Sequence, residues 1–173
     1  IRKRVDFSRT AQSRGVAQPP LQKPAPPGAT RIPLVHASAW KSIPGVYLEK
    51  AIAQRKSRRR YTEDPLSFEE LSFLLWATQG LRPSARGGGI FRTVPSAGNR
   101  HPLETYVIAF RVSGLEKAVY RYLPLDHALI ETGRPEDLEE RLVRATFGQV
   151  FCGTSAATLV WATIPERTEW RYA

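Results

Sequence analysis

Methionine is absent from the chain, and cysteine occurs once, at Cys152. A single thiol excludes an intrachain disulfide, and the expected setting is a reducing compartment, the cytoplasm. No apolar run is long enough to cross a bilayer, and no charged-then-apolar start marks a secretory signal. No His/Cys spacing supports a metal site, and no Ser/His/Asp set supports nucleophilic catalysis. The Gly-x-Gly-x-x-Gly dinucleotide fingerprint is missing too. The lack of an initiator methionine and the ending Glu169-Trp170-Arg171-Tyr172-Ala173 lead to the expectation of a piece cut from something longer.

Negative charge is also scarce. Against 26 Lys and Arg stand 16 Asp and Glu, giving a net charge of +10. Such a surplus points to an anionic partner. Nucleic acid is one option and a cofactor phosphate is another. Single-strand binding needs aromatics among the cations, and only Tyr61 lies near the main basic run, so the phosphate is favoured. The 173 residues are enough for one domain with a core, and 42% hydrophobic content is ordinary.

Residues 1–45 form a basic arm rich in proline, including Pro19, Pro20, Pro24, Pro26 and Pro27. Its apolar surface is too small to offset its ordering entropy, so an extended arm is expected, free or laid across a partner. A short helix is expected over 46–56, with Val46, Leu48, Ala51 and Ile52 as its apolar side. Ser67 and Glu70 make a capping-box pattern, Leu71 and Leu75 keep helical spacing, and Gly80 supplies a stop. Gly87, Gly88 and Gly89 fall in a loop. From Glu104, apolar residues occupy both faces, which predicts a central strand. A second strand over 118–123 and a third over 128–131 follow. Pro135, Glu136 and Asp137 open a helix with Leu138, Leu142 and Ala145 on its buried side. Residues 156–164 read as a buried strand with Trp161 in the core, and Cys152 as a small buried hydrophobe. The order predicts an α+β fold.

Two polar clusters stand out. The first is Arg55-Lys56-Ser57-Arg58-Arg59-Arg60. In an extended backbone Arg55, Ser57 and Arg59 share one face, and two guanidinium forks with a hydroxyl suit a phosphate. The competing reading is a solvated basic run. The second is Pro95-Ser96-Ala97-Gly98-Asn99, a tight turn whose Ser and Asn can bond a ligand or their own backbone. His101, just beyond, reads as a loop residue rather than a base.

Taken together, Arg-x-Ser-x-Arg-x-aromatic, an amphipathic helix, and Pro-Ser-Ala-x-Asn-x-x-Pro before an apolar strand resemble the nitroreductase family of flavoproteins. Pro65-Leu66-Ser67, Leu74-Leu75-Trp76-Ala77-Thr78-Gln79-Gly80, Arg92-Thr93, Val119-Tyr120-Arg121-Tyr122 and Trp170-Arg171-Tyr172 bring the likeness nearest to its SagB-type dehydrogenase branch. The resemblance runs from about residue 46 to the end. It implies an α+β domain with an antiparallel central sheet flanked by helices, cut before the family's C-terminal helices. It implies FMN as cofactor, with Arg55, Lys56, Ser57 and Arg59 on the phosphate, ribityl chain and ring edge. Pro95, Ser96, Ala97 and Asn99 would reach a flavin bound mainly by the other subunit of a homodimer. NAD(P)H would be the electron donor and a small molecule or peptide the substrate. Tyr172 is the candidate proton donor. Relatives that form azoles often carry Lys-Tyr where this chain has Arg171-Tyr172, and arginine is a poor proton acceptor. The rival classes are a non-catalytic half-domain that binds flavin or a protein, and a basic nucleic-acid binder.

Overall fold

The computed structural model describes residues 7–82 and 90–172. Gly87, Gly88, Gly89 and Ala173 lie outside the described residues. In chain order the elements are β1 (Arg31–Pro33), α1 (Leu48–Gln54), α2 (Phe68–Gln79), the small pair β2 (Leu81–Arg82) and β3 (Phe91–Arg92), β4 (Leu103–Ala109), β5 (Ala118–Leu123), β6 (Ala128–Gly133), α3 (Leu138–Ala145), α4 (Val150–Gly153), β7 (Ala157–Thr163) and α5 (Pro165–Tyr172). Five strands make one antiparallel sheet in the order β1-β6-β5-β4-β7. The fold is α+β, as the element order predicts.

Helix α2 starts at the capping box. The Ser67 hydroxyl accepts from the Glu70 amide at 3.1 Å, and the Glu70 carboxylate accepts from the Ser67 amide at 2.9 Å. Leu71 and Leu75, one turn apart, are fully buried in a core with Val107, Tyr120, Tyr122 and Leu129. Burial of each leucine contributes about 1.5–3 kcal/mol. Gly80 ends the helix without a left-handed turn, since its φ is −66°. Its requirement is space: a Cβ there would lie 2.6 Å from the Trp76 Cα.

Strand β4 is internal, between β5 and β7, which bears out the central-strand expectation. Its Val107 faces the α2 side. Glu104 projects to the opposite side, because strand side chains alternate. That second side is covered by α5 and by the N-terminal arm. Buried Arg167 of α5 pairs with buried Glu104. Glu104 also accepts from the Lys23 amide at 2.8 Å. Arg121 donates to the Pro24 carbonyl at 2.8 Å, and Arg92 donates to the Leu21 carbonyl at 2.7 Å. The arm is thus packed, against the expectation drawn from its apolar content. Its proline-rich backbone keeps its carbonyl acceptors, and buried arginines take them.

Several expectations need correction. β7 lies at the edge of the sheet, and none of its residues is buried; Trp161 is 46% exposed. Apolar faces alone do not bury a strand that has a neighbour on one side only. Helix α1 forms, but Val46, Leu48, Ala51 and Ile52 all face solvent. Ala145 is exposed and Cys152 is half-buried. Residues 165–172, unassigned from sequence, form α5, with Pro165 at its first position, where a missing N–H costs nothing.

Candidate functional site

The basic segment leaves α1 in an extended conformation, with Arg55 at φ −61° and ψ 126°. Residues 55–61 are all exposed. The Arg59 guanidinium lies 5.6 Å from the centre of the Phe151 ring in α4. Among the described residues, no carboxylate comes within ion-pair distance of Arg55, Lys56, Arg58, Arg59 or Arg60. Arg111 fixes the chain just beyond, donating to the Thr62 and Thr154 carbonyls at 3.1 Å each. The segment therefore sits at the Ala109/Ala157 end of the β4–β7 pair.

The Pro95–Asn99 loop sits at the other end, where Leu103 pairs with Thr163. It forms a short 3-10 turn at Ala97–Asn99. Gly98, Asn99 and His101 have left-handed backbones, with φ of 56°, 57° and 46°. The Ser96 hydroxyl oxygen accepts from the His101 amide at 2.8 Å, and Asn99 Nδ2 donates to the Ile90 carbonyl at 2.8 Å. His101 Nε2 lies 2.6 Å from Asn99 Oδ1. A carbonyl oxygen only accepts, so that nitrogen carries the proton. His101 is buried, and burial first, then the nearby guanidiniums of Arg92, Arg100 and Arg167, lower its pKa to about 4. It is a neutral strut inside the loop. Pro95, Ser96 and Ala97 border a cavity of about 220 Å³ together with Gln79 and Thr168. Asn99 is not among its lining.

Tyr172 closes α5 beside this loop. A Cβ at Gly98 would lie 2.7 Å from the Tyr172 hydroxyl and 2.5 Å from Arg171 Cδ, so a larger residue there would push these side chains away. The structure thus brings Tyr172 to Pro95–Asn99 and leaves Arg55–Arg59 at the far end of β4. Seven strand residues span roughly 20 Å. Sequence reasoning missed the buried group of Arg92, Glu104, Arg121 and Arg167. The one signal was Glu104, a carboxylate at the start of an otherwise apolar strand.

The nitroreductase family model matches residues 52–173, which include both polar clusters. A curated protein of Methanocaldococcus jannaschii, described as a "putative nitroreductase", is 37% identical over 126 residues, 73% of this chain and 61% of its own length. A solved structure from Ralstonia eutropha with the same description superposes with a TM-score of 0.57 at 28% identity, over 86% of this chain and 67% of that one. Another, from Anabaena variabilis, gives a TM-score of 0.60 at 22% identity, over 98% of this chain and 30% of that one, a likeness of fold alone. This chain therefore spans about three fifths of the M. jannaschii protein and under a third of the A. variabilis chain. With most of its length under one family model, and both polar clusters inside the match, the chain belongs to the nitroreductase family.

Proposed function

We propose that the chain is the flavin-holding part of an FMN-dependent oxidoreductase of the nitroreductase type. The observation that carries this reading is the cationic segment Arg55–Arg60, exposed at one end of the sheet within a nitroreductase match and without an ion-pair partner among the described residues. Its chemistry fits a terminal phosphate: Arg55 and Arg59 offer forked donors, Ser57 a hydroxyl and Lys56 a further charge. When bound, FMN supplies two-electron chemistry, taking hydride from a donor such as NAD(P)H and passing electrons to an organic acceptor. The residues bind and orient. Arg59, steadied on Phe151, is the cation for the pyrimidine edge of the ring. Tyr172 holds a phenolic proton at the Pro95–Asn99 loop and is the donor we assign to the substrate side.

The separation of the two clusters supports a homodimer. A flavin on Arg55–Arg59 of one copy would meet Pro95, Ser96, Ala97 and Asn99 of the other. The uncovered apolar residues of α1 and the open edge of β7 offer surface for that association. The Trp170-Arg171-Tyr172 ending favours the SagB-type branch, with arginine in place of the lysine of azole-forming relatives.

The test is direct. Protein purified without added cofactor is expected to be yellow, and heat release followed by chromatography is expected to return FMN. Recovery of FAD alone, or failure of added FMN to bind, overturns the reading.

A further inference from the structure

A cavity of about 750 Å³ separates arm residues 9–19 from α5. Small-molecule sites commonly enclose about 300–1,000 Å³. Its two walls are tied together by the fold. The Gln12 amide donates to the Trp170 carbonyl at 2.8 Å, and Trp170 Nε1 donates to the Val16 carbonyl at 2.8 Å. Beyond the cavity, buried Arg92 and Glu104 hold the arm at Leu21 and Lys23. The arm wall is anchored on both sides of the space, so the cavity is a built feature and not a gap under a loose strand.

The lining is aromatic and apolar at Val16, Pro19, Trp170 and Tyr172, with charge of opposite sign on the two walls. Arg9 and Arg14 stand on the arm, and Glu166 and Glu169 on α5. The two glutamates are three residues apart and share a helix face. Among the described residues, none of these four groups pairs with another within ion-pair distance. Two carboxylates thus face two guanidiniums across a space that neither side closes. The indole of Trp170 is fixed at its edge by Val16, and the Arg100 guanidinium lies 4.9 Å from the ring centre. Trp170 lines the cavity and Arg100 does not. Tyr172 carries the cavity to the Gly98 turn.

We propose that this groove binds an aromatic molecule carrying both an amine and a carboxylate, of the class of a free aromatic amino acid. The ring stacks on Trp170, the amine meets Glu166 and Glu169, and the carboxylate meets Arg9 and Arg14. Resting on the flavin reading above, this molecule is the substrate side of the Tyr172 site, but the binding claim stands without it.

L-tryptophan is the probe, titrated into the full chain by saturation-transfer NMR with and without FMN. Binding is expected in both states, and N-acetyltryptophanamide, which lacks both charges, is expected to bind more weakly. Trp170→Ala is expected to weaken L-tryptophan binding by about tenfold, the scale of one lost stacking contact. Glu169→Gln, at an exposed position that leaves the fold intact, is expected to remove much of the preference for L-tryptophan over its uncharged analogue. No L-tryptophan binding, or equal binding by wild type and both variants, overturns the proposal. A chain that binds L-tryptophan in this pattern but never binds FMN upholds the groove and overturns the flavin reading instead.

Discussion

The two ends of the β4–β7 pair use the same residue type in opposite ways. At the Ala109/Ala157 end, Arg55, Arg58, Arg59 and Arg60 stand in solvent, with the Phe151 ring against Arg59. At the Leu103/Thr163 end, Arg92 and Arg167 are 4% and 2% exposed, and their terminal nitrogens donate to Gln79, Leu21, Leu103, His101 and Glu104. A buried guanidinium must find acceptors inside the molecule or forfeit its hydration. It therefore binds the arm, the sheet and α5 into one unit. A solvated guanidinium keeps its donors free for an anion from outside. The buried arginines hold the fold together, and the solvated ones leave their donors in water.

The sharpest way to break this comparison is at Glu104. Glu104→Gln leaves Arg167 buried without its counter-charge, and is expected to cost about 3 kcal/mol in urea unfolding. Glu63→Gln, which removes an exposed carboxylate 3.9 Å from half-buried Arg111, is expected to cost little. Equal losses would mean that the buried end carries no special load. Arg55→Ala should do the converse: unfolding is unchanged, while FMN binding, followed by flavin fluorescence quenching, weakens by about 2 kcal/mol. Arg58→Ala, on the alternate face of the extended segment, is expected to weaken it less. A matching loss of stability in Arg55→Ala would show that the exposed end is structural after all.

Gly98→Ala is expected to cost about 1–2 kcal/mol in thermal unfolding, because its φ is 56° and the new methyl meets Arg171 and Tyr172. Gly45→Ala, with nothing within 4 Å, serves as the near-neutral control. A separate effect concerns pH. His101 is held neutral in the fold, with its pKa lowered from 6.5 to about 4. Above pH 6.5 neither state is protonated, and the full stability is present. As pH falls toward 4 the unfolded chain takes the proton first, so stability declines and then levels off. His101→Asn is expected to flatten that part of the curve in urea midpoints measured from pH 7.5 to 4.5.

Much of the fold was legible because its signals are local. The Ser67–Glu70 capping box, the Leu71/Leu75 spacing and the both-face apolar run from Glu104 each depend on residues within a few positions of one another. Both polar clusters were legible as clusters. Their places at opposite ends of one strand pair were not, because that depends on which strands become neighbours. α5 was missed, though Pro165-Glu166 is a fair helix start, since so short a polar segment carries little periodic signal.

By itself, the sequence determined helices α1, α2 and α3, strands β4 to β7, the central place of β4 and the family to which the chain belongs. Tertiary structure alone decided burial at the margins. Trp161 and the apolar residues of α1 are exposed because coverage requires a neighbour, and no local pattern states whether one is present. It also decided that Glu104 meets Arg167, 63 residues away, and that Glu104 holds the proline-rich arm at Lys23. An ion pair of that reach follows from the path of the chain, which only the folded sheet defines.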